Sequence, residues 1–204
     1  IQALLGQDRV NDAIMLTAMF ATRDGELDRS YMIETFRLLG ALGTNTELIG
    51  VLEVLGAQGM MVEAIGLTTS ALGTPSRGEV PDDLDMQRAD LAYTAAAMAT
   101  AFERDEQASR YYELSLSYDA DHAWSNNDYG YMLAEEGERI EYAVELLEKA
   151  AAALPDEASI IDSLAWVRYK LGIFDDVVDE DGKVVTLGAI SLLVRANELD
   201  TART

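Results

Sequence analysis

The sequence predicts an all-α protein, an α-solenoid of about five antiparallel helix pairs, and three observations carry that prediction. Ala, Leu, Glu and Met, all strong helix formers, are abundant, and only three prolines interrupt 204 residues. Hydrophobic residues make up 49% of the chain, enough for one sizeable core or one continuous stack of helices. Small residues and turn glycines recur with a spacing of 34 or 35 residues: Gly137 is followed by Gly172, and Gly130 by Ala165. A small residue lets two helices approach closely, and a glycine just past a helix end lets the chain turn back.

Extending that register toward the amino terminus marks turns at Glu103, Gly59 and Gly25. Around Glu103 the pattern includes Ala96, Ala108 and Ser115 at the small positions. The step from Gly59 to Glu103 is one repeat plus ten residues. Those ten fit in the stretch from Gly73 to Asp83, whose two prolines and two glycines read as a loop. The implied helices fall near 9–22 and 28–42, 45–57 and 60–73, 84–102 and 105–118, 122–136 and 139–153, and 156–171. Pro155 stands just outside the last of these, with Asp156 or Glu157 near its start. After Phe174 the expected partner helix is delayed by about twelve residues, an insertion over 176–187, and resumes at Gly188 with Ala189 and Ala196 in register. Within the insertion Asp181-Gly182, flanked by valines, signals a short hairpin. The repeats then span 9–42, 45–73, 84–118, 122–153 and 156–200, as one domain. The chain starts at Ile1, already in apolar sequence, and reads as a fragment of a longer protein.

The spaced small, aromatic and proline positions of Trp124–Gly172 resemble the tetratricopeptide repeat of bacterial type, a 34-residue helix–turn–helix. The resemblance implies a non-enzymatic protein-interaction scaffold that binds a peptide segment or a neighbouring domain in a concave groove. It further implies that five offsets on the first helix of each repeat face that groove, all on one side of a 3.6-residue helix. Carried onto this chain, those offsets select Trp124, Asn127, Tyr131, Ala134 and Glu135 in the fourth repeat. In the fifth they select Ser159, Asp162, Trp166, Tyr169 and Lys170, and in the third Asp90, Tyr93, Ala97, Thr100 and Ala101. The second contributes Ile49 and Glu53, the first Met15 and Met19. Tyr93, Trp124, Asn127, Tyr131, Asp162, Trp166 and Tyr169 are the candidate peptide-binding residues: aromatics beside Asn and Asp can stack a partner's side chains and hydrogen-bond its backbone. The alternative for both tryptophans is that they fill gaps between adjacent repeats. The family's clamp for a chaperone's terminal carboxylate is absent, since Tyr93, Ala97, Asp128, Ser159 and Ser163 occupy its positions and none is basic.

Charge and composition narrow the function classes. The formal net charge is −22, from 37 acidic and 15 basic residues, which repels nucleic acid and anionic membranes and favours basic or neutral protein partners. No apolar run reaches the roughly 18 residues needed to span a bilayer. Without cysteine there is no disulfide, thiol catalysis or thiolate metal site, which leaves cytoplasm and periplasm equally open. No cofactor is expected. The single histidine, His122, sits beside Asp121 at a helix start, where capping and a solvent-facing position are the ordinary explanation. The acidic run before Gly182 imitates a calcium loop, but its first and twelfth positions are Val177 and Gly188, which supply no carboxylate. Two rivals to the scaffold reading remain: a structural spacer between flanking domains, and an enzyme or ligand-cavity protein whose site no motif reveals.

Overall fold

The computed structural model describes residues 22–23, 26–27, 84–137 and 139–202. The remaining positions expected as helices in 9–73, the loop at 73–83, and Met15, Met19, Ile49 and Glu53 lie outside the described residues. The fold is all-α, with strands among the described residues only in two short hairpins. In the first hairpin β1 (Thr22–Arg23) pairs antiparallel with β2 (Glu26–Leu27), leaving only Asp24 and Gly25 between them. At Thr22 a strand stands where the first helix was expected to end.

The chain divides into two compact units, residues 1–119 and 120–204. The described helices of the first are α1 (Leu84–Ala101) and α2 (Asp105–Tyr118), which pack against each other. Their interface is alanine-rich, with Ala89, Ala92, Ala96 and Ala99 fully buried on α1 and Ala108 on α2. Ser115 reaches across from α2 to donate its hydroxyl to the Ala89 carbonyl at 2.9 Å. The turn between the helices is closed by Glu103, whose φ of 56° is left-handed. Its N–H donates to the Thr100 carbonyl and that of Arg104 to Ala99, the two bonds of a Schellman motif.

The second unit holds α3 (Ala123–Glu136), α4 (Ile140–Ala153), α5 (Ala158–Lys170) and α6 (Ala189–Thr201). Helix α3 packs on α4, α5 on α6, and α5 on both α3 and α4. Helix α3 starts at His122, whose Nδ1 accepts the Ser125 N–H at 3.1 Å. The histidine therefore caps the helix, but it is buried where a solvent-facing side chain was expected, because the cap turns the ring inward. Helix α3 ends at Gly137, at φ 72°, whose N–H reaches the Leu133 carbonyl. Gly130 lies where α3 meets α4. A methyl there would come within 2.8 Å of the Leu147 Cγ and 3.1 Å of the Ala143 carbonyl, so only glycine fits without adjustment.

Helix α5 ends at Gly172, again at φ 72°, with the same two Schellman bonds as Glu103: Gly172 to Tyr169 and Ile173 to Arg168. Between α5 and α6 the chain makes a second hairpin, β3 (Val177–Val178) against β4 (Val184–Thr186). Asp179 builds its turn. The side chain accepts the N–H groups of Asp181 and Lys183, while Gly182 takes the left-handed position at φ 79°. The excursion returns to its starting point. Ala189 and Ile190, at the start of α6, donate their N–H groups to the carbonyls of Ile173 and Phe174, and the Gly188 N–H donates to the Asp176 carboxylate. The carbonyls of residues 173 and 174 thereby cap the helix, and the backbone of 174 and 175 runs so close to Gly188 that a Cβ there would lie 2.4 Å from it.

Candidate peptide-binding surface

The surface begins with the periodicity of α3 and α5. Trp124, Asn127 and Tyr131 lie three, four and seven residues apart on α3, and Asp162, Trp166 and Tyr169 repeat that spacing on α5. Such intervals put side chains on one face of a helix. Of the α3 set, Trp124 and Tyr131 are exposed at 39% and 41%, so neither is a core residue. Asn127 is nearly buried. Its amide donates to Asp128, and its Oδ1 has no hydrogen-bond partner among the described residues. On α5, Asp162 and Tyr169 are exposed and Trp166 is half-buried.

Tyr131, Asp162, Trp166 and Tyr169 line one open cavity of about 400 Å3, together with Ala165 and with Leu193 of α6. Trp166 and Tyr169 stack with ring centroids 5.5 Å apart and planes within 15°, and Phe174 meets the far ring edge-on at 5.8 Å. The indole is fixed at its other end, where Nε1 donates to the Glu135 carboxylate. Glu135 also pairs with Lys170 at 2.9 Å, and Lys170 donates to the Ala134 carbonyl in the last turn of α3. A cation at that position complements the helix dipole. The Lys170 hydrogen bond, then that of Trp166, holds the Glu135 carboxyl below the ordinary glutamate range, against a smaller opposing effect of desolvation. At neutral pH the carboxylate is therefore charged and the tryptophan is held in place. Lys170 also lies 5.3 Å from the indole centroid, in cation–π range.

The offsets placed Glu135 and Lys170 among groove positions; in the structure they support the tryptophan that faces the cavity. Leu193 was not anticipated. It lies on the second helix of its pair, where the groove offsets do not reach, and only the return of α6 after the hairpin brings it to α5. Tyr93 belongs to the other unit. It is half-buried there, its ring 6.4 Å from that of Tyr112, which is itself hydrogen-bonded to Thr100. Trp124 does not line the cavity.

The described residues contain no group of three or more His, Cys, Asp or Glu side chains placed to hold a metal ion. No described helix is long and apolar enough to cross a membrane.

No protein-family model matches the chain. One curated relative, a TPR repeat-containing protein of Pseudomonas aeruginosa, is 31% identical over 98 residues, 48% of this chain but only 16% of the relative's length. Solved structures share the fold. YrrB, described as a TPR protein with an unusual peptide-binding site, aligns over 94% of this chain and 84% of its own, at 17% identity and a TM-score of 0.58. A crystal structure of MamA aligns over 96% and 94%, at 15% identity and a TM-score of 0.59. The chain thus resembles tetratricopeptide-repeat proteins in both sequence and fold.

Proposed function

We propose that this chain is a non-catalytic interaction scaffold whose 120–204 unit grips an extended segment of another protein, or of a neighbouring domain, on the aromatic face of α3 and α5. The observation that carries the reading is the cavity in which Tyr131, Trp166 and Tyr169 meet the Asp162 carboxylate. Aromatic side chains contribute large contact area at low conformational cost, and they dominate binding energy when held rigid. Here the rigidity is built in: Glu135, Lys170 and Tyr169 fix the Trp166 indole, so little side-chain freedom is lost when a partner binds. The exposure of Trp124 and Tyr131 favours a binding face over a spacer whose tryptophans only join repeats. The peptide-binding site named for YrrB gives the same fold a precedent for such a role. With a net charge of −22, encounter with a basic or neutral segment is favoured and nucleic acid is disfavoured.

The test is selection of binders from a random phage-displayed peptide library, followed by titration of each synthetic peptide against tryptophan fluorescence. Tyr131→Ala and Tyr169→Ala should each weaken binding by about tenfold or more, with unchanged melting temperatures. Trp124→Ala, further along α3, reports how far the binding face extends. Affinity should fall as salt rises. Peptides that bind Tyr131→Ala and Tyr169→Ala as tightly as the parent chain would overturn the reading.

A further inference from the structure

We infer that the cavity over Trp166 receives a cationic side chain of the bound segment, arginine in preference to lysine; the inference rests on the aromatic face being the binding face. Three features of the cavity converge on that ligand. Its wall carries three aromatic rings, whose negative faces attract a cation. Among the described residues its one charged lining side chain is Asp162, an exposed carboxylate that forms no ion pair with any of them. The neighbouring charges, Glu135 and Lys170, already neutralise each other at 2.9 Å, so the unmatched charge of the cavity is the Asp162 carboxylate. Lys170 also shows the indole accepting a cation, 5.3 Å from its centroid.

Shape selects within the cations. Ala165 and Leu193 supply apolar lining, suited to the methylene stem of a long side chain that keeps its charged head at Asp162. A guanidinium is planar, stacks on aromatic faces and can pair with a carboxylate through two N–H groups. An ammonium offers a more strongly hydrated point charge and no flat face. A carboxylate-bearing side chain would meet Asp162 with like charge, and a short apolar one would leave Asp162 desolvated without a partner.

The experiment uses the peptides selected above. Each arginine is replaced in turn by citrulline, a neutral side chain of nearly the same shape, and by lysine. Binding is measured to the parent chain and to Asp162→Asn, whose exposed position makes the change harmless to folding. One arginine should stand out: its citrulline form should bind about tenfold more weakly. The lysine form should fall between the two. In Asp162→Asn the gap between the arginine and citrulline peptides should narrow, leaving only the smaller preference that the aromatic rings give a cation. Peptides that need Tyr131 and Tyr169 but contain no arginine or lysine, or that tolerate citrulline everywhere, would overturn the cation inference and leave the binding face standing. Peptides indifferent to both tyrosines would overturn the two together.

Discussion

Helix pair α3–α4 turns back within a few residues of Gly137, whereas α5–α6 leaves through Gly172 and returns only after the β3–β4 hairpin. Both pairs nonetheless end with their helices packed on each other. The short connection is therefore not what aligns the helices. The small buried residues do that: Gly130 and Ala143 in the first pair, Ala165, Ala189 and Ala196 in the second. What the two connections change is where the helix-end hydrogen bonds go. In α3–α4 the second helix begins at Arg139, itself left-handed at φ 49°, with no side-chain cap. In α5–α6 the second helix has its first N–H groups taken by the carbonyls of Ile173 and Phe174. The long route thus needs a tight closure, and the short route a tight helix crossing.

Each pair has one glycine on which that difference turns, and substituting them separates the cases. Gly188→Ala should be the most damaging change, because the new methyl meets backbone atoms rather than a flexible side chain; we expect a loss of about 3 kcal/mol in urea denaturation. An unchanged midpoint would mean that the closure opens at little cost. Gly130→Ala should cost less, about 1–2 kcal/mol, since overpacking against Leu147 is partly offset by the better helix propensity of alanine. Stabilisation by Gly130→Ala would show that α3 and α4 can separate freely, and that the crossing is not tight.

The smallest effect carries the comparison to α1–α2, where Glu103 stands in the same left-handed turn position as Gly137 and Gly172. A non-glycine residue there is strained by about 1–2 kcal/mol. Glu103→Gly should stabilise the protein by about 0.5–1 kcal/mol, net of the extra chain entropy that glycine loses on folding. A loss of stability would mean that the glutamate side chain makes a compensating contact.

This turn also shows what the sequence made legible. Glu103 is not a turn residue by type; only the register of its neighbours marked it, and the backbone there is left-handed as at the two glycines. The buried small positions Ala96, Ala108, Ser115, Gly130, Ala165 and Ala196 were readable for the same reason, since a repeat imposes one steric requirement at each equivalent place. Local chemistry was read less well. Asp24-Gly25 carries the same hairpin signal as Asp181-Gly182, yet the repeat register led to a helix-to-helix turn there. Of the cavity, the α3 and α5 residues follow from periodicity, whereas Leu193 depends on how α6 returns, which no local pattern encodes. The near burial of Asn127 likewise follows from how neighbouring helices pack.

The closure at Ile173–Ala189 has a consequence for how this protein can change over time. Because the chain exits and re-enters at adjacent backbone groups, the length and sequence of what lies between are decoupled from the helices on either side. Selection can lengthen, shorten or replace the valine hairpin without re-tuning the cores of α5 and α6, provided that Gly188 and the two carbonyls are kept. The same property makes its tip, at Glu180 and Asp181, a natural splice point for grafting a reporter or a second binding module.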